Sequence, residues 1–203
     1  MSLAIETSLQ KRVYDRRGSI IFLKTKEKFG GLSNMAGGFP IRINGTRIAT
    51  AEAFYQACRF PHHPEIQREI IAEASPMTAK MRGKPHRDLT RSDWETARVP
   101  IMRWTIRAKL AFNFYDFSRL LLETGEKPIV EESRRDPFWG AVPEGTEQLV
   151  GQNVLGRLLM ELRQEVKNLP QDHFAYLPAL TLRDFLLDGE AIEPVVTRRS
   201  RLF

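Results

Sequence analysis

The sequence predicts a mainly helical α+β fold, in which a single globular domain contains several helices and a few short strands. The helical prediction rests first on residues 153–167, where leucine and valine recur with the helical period of ~3.6 residues. Short apolar or alternating segments bounded by glycine, asparagine and proline predict the strands. With 203 residues, of which 42% are hydrophobic and 28% charged, the chain is long enough to bury a sizeable core.

The first strand signals lie before residue 50. Residues 19–24 (SIIFLK) form an apolar run typical of a buried strand, and a loop rich in Gly, Ser and Asn follows at 26–40. Residues 41–49 alternate around Asn44-Gly45. This dipeptide predicts a hairpin because type I′ turns require positive φ at both central residues.

Capping residues predict the next helices. Thr50 is the expected N-cap of a helix that begins at Ala51, and a second helix is expected to begin near Pro64. Ser75-Pro76 combines a cap with a first-turn proline and predicts a short helix through Lys80. The polar and basic residues 83–92 are interpreted as a loop.

A long helix is expected after Trp94, with Pro100 at its start or at a kink. Thr124-Gly125 is typical of a helix end, and residues 128–131 suggest a short strand. Asn153 is the expected N-cap of the last major helix.

After Pro170 the sequence pattern of helices and strands weakens. Residues 180–189 (LTLRDFLLDG) suggest one more short helix, and residues 197–203 form a basic tail. We therefore divide the chain into an N-terminal arm (1–18), a catalytic domain (19–168) and a C-terminal extension (169–203).

The charge of the chain favours a phosphate-bearing partner. The net charge is +6 and the isoelectric point is about 9.7, which suits nucleic acid or a pyrophosphate ligand, although a surface merely rich in Lys and Arg has the same signature. No apolar run approaches the ~20 residues of a membrane helix, and the N-terminus lacks the order of a secretory signal. We expect a cytoplasmic protein without a membrane partner.

No cofactor or metal is expected. The single cysteine, Cys58, excludes an intrachain disulfide and lies in an apolar-aromatic segment, where a buried inert thiol is the favoured interpretation. The four histidines form no metal-binding pair on one helical face with a nearby acid.

Two acids are candidates for chemistry. Asp136 precedes Pro137 and stands three residues before Trp139-Gly140, so it is either a turn residue or an acid beside an indole that stacks on a base. Glu52 lies in the first turn of its predicted helix, where it either complements the helix dipole or acts on substrate with Tyr55 beside it. Trp94 and Trp139 are each open to two interpretations, a core or rim residue or a platform on which a base stacks.

A loop and a basic cluster could contact phosphates. The backbone N–H groups around Gly31, Ser33 and Asn34 could meet a phosphate or a carbonyl, although the loop has neither a Walker A nor a dinucleotide pattern. Lys80 begins a basic cluster that flanks Trp94 and could bind nucleic-acid phosphates, or could merely be solvated. Its members are Lys80, Arg82, Lys84, Arg87 and Arg91.

Taken in order, these motifs resemble the NADAR family, also called YbiA-like. The resemblance covers about residues 20–166, and its separate blocks are more specific than any single motif. The matching blocks are FGGLSNM (29–35), AEAFYQACRF (51–60), SPMTAKMRG (75–83) with DW (93–94), IMRWTIRAKLAFN (101–113), LLLETGEKPIVEES (120–133), DPFWG (136–140) and GQNVLGRLLMELR (151–163).

The resemblance implies N-glycosidase chemistry, the hydrolysis of a bond between a base-like nitrogen and C1 of a ribose. It places functional positions at Glu52, Trp94 and Asp136, and Lys80 matches a lysine found in part of the family, which could bind phosphate or act covalently on the opened ribose. Further substrate-binding residues predicted on this basis are Trp139, Tyr55, Gly31, Ser33, Asn34, Gly140 and Asn153. Residues 141–150 are poorer in glycine than in many members, so we expect a different loop there and a different substrate choice.

The resemblance implies two substrate classes, since known members act on phosphorylated riboflavin-pathway intermediates or remove ADP-ribose from guanine in nucleic acid. Of these, the basic residues favour ADP-ribosylated guanine in DNA. The protein would then oppose a DarT-type toxin as an antitoxin. One alternative is an N-glycosidase of phosphorylated riboflavin-biosynthesis intermediates, and another is a non-catalytic module that binds ADP-ribose or NAD.

Overall fold

The computed structural model describes residues 10–197. The predicted basic tail therefore lies outside the described residues except for Thr197, as do residues 1–9 of the predicted arm. The strands are β1 (Arg12–Asp15), β2 (Ile20–Phe22), β3 (Ile41–Ile43), β4 (Thr46–Ile48), β5 (Ile129–Glu131), β6 (Val142–Glu144), β7 (Gln148–Gly151), β8 (Tyr176–Leu177), β9 (Leu186–Leu187), β10 (Glu190–Ala191) and β11 (Val195–Val196). The α-helices are α1 (Ala51–Ala57), α2 (Pro64–Ala72), α3 (Pro76–Arg82), α4 (Trp94–Phe112), α5 (Phe114–Leu122) and α6 (Val154–Asn168).

The mainly helical α+β class is confirmed, and the residues form two compact units. The described part of the first unit is 10–33 with 119–168, and that of the second is 34–118 with 169–197. The boundaries between arm, catalytic domain and extension stay a prediction.

The first unit contains two small sheets and helix α6. Strand β7 pairs antiparallel with β1 on one side and β6 on the other, whereas β2 and β5 pair in parallel. The predicted strands at 19–24 and 128–131 are thus confirmed as β2 and β5. Helix α6 packs closely on β5, since a Cβ on Gly156 would lie 2.1 Å from the carbonyl oxygen of Ile129. The apolar side of α6 is buried at Leu155, Leu158, Leu159 and Leu162.

The second unit packs helices around an aromatic core. Helices α1, α2 and α3 contact one another, and α4 packs on α1. The rings of Phe54, Trp104 and Phe185 meet with centroids 5.2–6.3 Å apart. The indole N–H of Trp104 donates to the carbonyl oxygen of Pro178, 2.8 Å away, which satisfies the buried donor.

Local signals placed the caps and the first hairpin correctly. The hydroxyl of Thr50 accepts from the Ala53 N–H at 3.2 Å, and that of Ser75 accepts from Thr78 at 3.3 Å. Strands β3 and β4 form the predicted hairpin, with positive φ of 46° at Asn44 and 79° at Gly45.

Pro100 was expected at the start of the long helix or at a kink. Helix α4 begins at Trp94, so Pro100 lies inside it and the first alternative is excluded. Two other expectations were wrong. Residues 84–89 form a 3₁₀ helix inside the predicted loop. Residues 180–189 contain no helix. They lead into the hairpin β9–β10, whose turn residues Asp188 and Gly189 both have positive φ, because the Asp-Gly turn preference outweighs the helical spacing of a short apolar segment.

Candidate active site

Glu52 is buried within a network of polar side chains in the second unit. It lies in the first turn of α1 and is 7% exposed. Its Oε1 accepts a hydrogen bond of 2.8 Å from Nε2 of Gln56, one turn along the same helix face, and its backbone N–H donates to the carbonyl of Asn34 at 3.1 Å. An amide that donates to a carboxylate stabilises the ionised form and fixes its orientation.

An arginine continues this network toward an aromatic pair. Nη1 of Arg59 lies 3.5 Å from Oε1 of Gln56, and its guanidinium carbon lies 5.1 Å from the ring centroid of Trp94. The rings of Tyr55 and Trp94 meet with centroids 5.2 Å apart. Burial, and then the Glu52 carboxylate, raises the pKa of Tyr55 well above its ordinary value, so its phenol stays protonated. The predicted Glu52, Tyr55 and Trp94 therefore lie together.

The sequence did not single out Arg59. The signal that identifies it is spacing, because positions 52, 56 and 59 are separated by four and three residues, as on one helical face, although α1 ends at Ala57 and Arg59 follows its C-cap Cys58. Trp94 is 9% exposed, and both Tyr55 and Arg59 contact its indole. This geometry favours a role in holding these two residues, while stacking of Trp94 on a base stays a prediction.

The loop that contains Gly31, Ser33 and Asn34 forms turns and buries one side-chain amide. Gly31 lies in the 3₁₀ helix Gly30–Leu32, and the N–H of Ser33, which is buried, donates to the carbonyl of Gly30 at 3.1 Å. Asn34 is also buried, and its Nδ2 donates to the sulfur of Met102 at 2.7 Å. Its Oδ1 has no hydrogen-bond donor within residues 10–197. Substrate binding by this loop stays a prediction.

Asp136 organises a turn in the first unit. Its Oδ1 accepts from the backbone N–H groups of Phe138 and Trp139, each at 3.0 Å, and its own N–H donates to Oγ of Ser133 at 3.0 Å. The turn interpretation is therefore confirmed for one carboxylate oxygen. The other oxygen makes no hydrogen bond among the described residues, and a role of Asp136 in chemistry stays a prediction.

Gly140 and Asn153 hold the backbone behind Asp136. A Cβ at Gly140 would lie 2.4 Å from the carbonyl oxygen of Glu131, so only glycine fits there. Asn153 precedes α6 as predicted, but its side chain bonds strand β5. Its Nδ2 donates to the carbonyl of Ile129 at 2.8 Å, and its Oδ1 accepts from the Glu131 N–H at 3.1 Å. Substrate contacts of both residues stay predictions.

The neighbouring indole is half-buried. The rings of Phe138 and Trp139 meet edge to face at 5.0 Å, and the carbonyl of Trp139 accepts from the N–H of Leu155 at 3.1 Å. Residues 141–150, expected to form a loop of different shape, instead contribute to the β6–β7 hairpin. The segment was wrongly interpreted as a loop, because its strands are only three and four residues long and their alternation is weak.

The basic cluster separates into paired and unpaired members. Nε of Arg82 lies 2.7 Å from Oε1 of Glu73, and the buried guanidinium of Arg91 bonds Asp93 and the carbonyls of residues 183 and 184. Arg91 is therefore not available to phosphate. The remaining members are exposed and have no carboxylate partner among residues 10–197. They are Lys80, Lys84 and Arg87.

Cys58 is buried, as predicted, and burial raises the pKa of its thiol. Within residues 10–197, no group of three or more His, Cys, Asp and Glu side chains is arranged to hold a metal ion. The same residues include no helix with the length and hydropathy of a membrane span.

Known proteins resemble this chain in sequence and in fold. Residues 21–167, which include parts of both units, match the model of the NADAR domain. The chain belongs to the NADAR family. The N-glycosidase YbiA from Escherichia coli is 34% identical over 147 residues, which are 72% of this chain and 88% of that protein. The NMR structure of E. coli YbiA has a TM-score of 0.62 and covers 74% of this chain and 86% of its own.

Two further relatives broaden the comparison. An N-glycosidase of Nostoc punctiforme is 35% identical over 153 residues, which are 74% of this chain and 94% of that protein. The riboflavin biosynthesis protein PYRR of Zea mays is 36% identical over 163 residues, which are 72% of this chain but only 25% of that protein. N-glycosidase activity is therefore supported for this NADAR chain.

Proposed function

We propose that this protein is a cytoplasmic N-glycosidase that removes ADP-ribose from guanine in DNA. The observation that carries the catalytic part is the buried Glu52 carboxylate, which Gln56 orients beside Tyr55 and Trp94. The exposed, unpaired Lys80, Lys84 and Arg87 support a substrate with several phosphates. The N-glycosidase relatives support the bond that is cleaved.

The reaction breaks the bond between guanine nitrogen and C1 of ribose. As this bond breaks, positive charge builds on C1 and the ring oxygen, and a carboxylate close to C1 stabilises it. Glu52 accepts a proton from water while the water oxygen bonds to C1. The departing guanine nitrogen takes up a proton, and Asp136, through its second oxygen, is the candidate donor or orienting group.

Lys80 has two possible roles in this scheme. In the first, its ammonium binds a phosphate of the ADP-ribose or of the DNA. In the second, its amine bonds C1 of the opened ribose as guanine leaves, and water hydrolyses the resulting imine to restore the amine. Borohydride treatment during turnover distinguishes them, since it reduces an imine to a stable adduct on Lys80 that mass spectrometry detects.

The central test is release of ADP-ribose from a single-stranded oligonucleotide that contains one ADP-ribosylated guanine. Glu52→Gln and Asp136→Asn keep the shape of each side chain and remove its charge. We expect each variant to lose about 10²-fold or more in kcat with unchanged thermal unfolding. Full activity in both variants would exclude the scheme, and tight binding of ADP-ribose without any release would identify a binding module.

A metabolic N-glycosidase is the second candidate, because relatives from Zea mays and Vibrio vulnificus are riboflavin biosynthesis proteins. The salt dependence of turnover distinguishes the two candidate functions. At low oligonucleotide concentration, turnover should fall steeply as the salt concentration rises. Lys84→Ala and Arg87→Ala should each reduce the slope of log rate against log salt concentration by about 0.7. Salt-insensitive turnover of a phosphorylated riboflavin-pathway intermediate, with none of the oligonucleotide, would favour the second candidate.

A cellular test addresses the proposed pairing with a DarT-type toxin. If the protein reverses guanine ADP-ribosylation, its co-expression with such a transferase restores growth and lowers the ADP-ribose content of the DNA. Glu52→Gln at equal abundance does neither. Growth that the variant restores equally well would contradict reversal by hydrolysis.

A further inference from the structure

Helix α3 and the 3₁₀ helix that follows it expose apolar side chains to solvent. Met77 is 59% exposed, Met81 is 46% exposed and Leu89 is 40% exposed. Side chains of this size are normally exposed singly, whereas these three occur within one short segment of the chain. We call them the methionine patch.

The backbone places the members of the patch on one part of the surface. Met77 and Met81 are separated by one helical turn and therefore share a face of α3. The opposite face is fixed to the second unit through the buried Ala79, and α3 packs on α1 and α2. Leu89 ends the 3₁₀ helix 84–89, which contacts α3. The patch is thus a feature of the folded surface.

Positive charges without a carboxylate partner among residues 10–197 lie in the same segment of the chain as the patch. Lys80 lies between Met77 and Met81 in the sequence, and Lys84 and Arg87 lie between Met81 and Leu89. None of these three cations has a carboxylate partner in the described part of the chain. Asp88 is the exposed acid in the same segment. Apolar side chains edged by free cations match a strand that alternates apolar base faces with phosphates.

We propose that the methionine patch, with Lys84 and Arg87, binds the unpaired nucleotides that flank the modified guanine. The inference rests on the proposed function for its substrate and extends it by naming the surface that reads the neighbouring single strand. Methionine suits this task because its flexible, polarisable side chain adapts to any base, so binding is tolerant of sequence. The cations contact the phosphates on either side.

Binding of unmodified single-stranded DNA, followed by fluorescence anisotropy, tests the proposal without any catalysis. The double variant Met77→Ser with Met81→Ser should bind a ten-nucleotide strand about tenfold more weakly, because both apolar contacts with bases are lost. The matched control is Val196→Ser, which changes an apolar side chain that is 69% exposed elsewhere in the same unit and should leave affinity unchanged.

An abasic strand identifies what the patch contacts. If methionines contact bases, a strand of the same length with abasic sites binds the parent protein weakly, and the double variant adds no further loss. An equal loss on intact and abasic strands, or no loss at all, would overturn the proposal. An acidic peptide that binds as well as the strand would assign the patch to a protein partner and overturn it too.

Turnover separates this inference from the proposed function. If both hold, the double variant raises KM for the modified oligonucleotide and leaves kcat unchanged. ADP-ribose release with unchanged KM in the double variant would refute the patch alone. If no ADP-ribose is released from any substrate, the proposed function fails, and the binding experiment with intact and abasic strands still decides whether the patch holds single-stranded DNA.

Discussion

The helix that carries Glu52 and the loop that carries Asp136 use their polar side chains in opposite ways. In α1, the side chain of Gln56 donates to the carboxylate of Glu52, so one side chain orients another. In the loop, Asp136 and Asn153 bond backbone groups, so their side chains orient the main chain. Removing a partner of Glu52 changes the orientation of its carboxylate. Removing a loop side chain instead changes the shape of the backbone.

This difference determines which measurement should respond first. Substitutions in the Glu52 network should alter turnover and its pH dependence before they alter stability. Substitutions around Asp136 should alter the free energy of unfolding first, since unpaired backbone groups and crowded carbonyls destabilise the fold directly. The predictions below test that distinction, from the largest expected effect to the smallest.

Gly140→Ala should be the most destabilising change in the loop. Its Cβ would lie 2.4 Å from the carbonyl oxygen of Glu131, a backbone atom that cannot move without strand β5. We expect a loss of about 2–3 kcal/mol in the free energy of unfolding, measured by urea denaturation. Gly37→Ala is the control, because nothing lies within 4 Å of its Cβ position. Equal stabilities of the two variants would show that the loop tolerates the extra atom.

The second unit also buries a lysine. Lys109 on α4 is 0% exposed, and its Nζ lies 4.6 Å and 4.4 Å from the ring centroids of Phe39 and Phe117. Burial lowers the pKa of Lys109 from 10.5 to about 7. Above pH 7 the unfolded chain therefore binds a proton that the folded chain releases, and the stability of the fold increases with pH.

Lys109→Met should remove this pH dependence. The parent should gain up to about 1.4 kcal/mol in the free energy of unfolding for each pH unit between about 7 and 9, and the variant should not show this gain. Urea denaturation across the pH range measures both. Lys26→Met, at an exposed lysine, should behave as the parent does. Parallel curves for the parent and Lys109→Met would show that Lys109 keeps its proton in the fold.

Elements with a strong local signal were predictable from the sequence. The cap at Thr50, the Asn44-Gly45 hairpin and the leucine period of α6 depend on neighbours within a few residues, and each was confirmed. The sheet of β1, β6 and β7 was not predicted, because β1 pairs with a strand far away in sequence and alternation in its short strands is weak. The Asp188-Gly189 turn had a recognisable signal that the apolar spacing obscured.

The candidate site was predictable in its residue types but not in its contacts. The sequence suggested Glu52, Tyr55 and Trp94, and the structure groups these side chains. It did not suggest that Arg59 lies over the indole, since this cation–π contact joins residues far apart in sequence and leaves no local pattern. For Asp136 the sequence left both a turn role and a chemical role open. The hydrogen bonds show that one of its carboxylate oxygens holds the turn.

Paired variants of Asp136 separate its turn from its chemistry. Asp136→Asn keeps an Oδ1 that accepts from Phe138 and Trp139, whereas Asp136→Ala does not. We expect the alanine variant to lose about 1–2 kcal/mol of stability and the asparagine variant to lose little, as for a cap. Thermal or urea unfolding measures this. Equal losses in both variants would mean that the charge, and not the acceptor, holds the turn.

Gln56 should affect activity with little effect on stability. Gln56→Leu removes the donor to Oε1 of Glu52, and we expect kcat to fall about tenfold at unchanged KM, since the carboxylate loses its orientation. Gln56→Glu places a second carboxylate beside Glu52, which favours the protonated form, so the acid limb of the rate profile should move to higher pH.

Gln67→Leu is the matched control for Gln56. Gln67 is a fully buried glutamine of the same unit whose amide donates to the backbone carbonyls of Ala57 and Leu186. Its loss should lower the free energy of unfolding and leave the pH profile in place, because its partners belong to the main chain. If Gln56→Glu also left the profile in place, Glu52 would not be the group whose ionisation limits turnover, and the second oxygen of Asp136 would become the better candidate for that role.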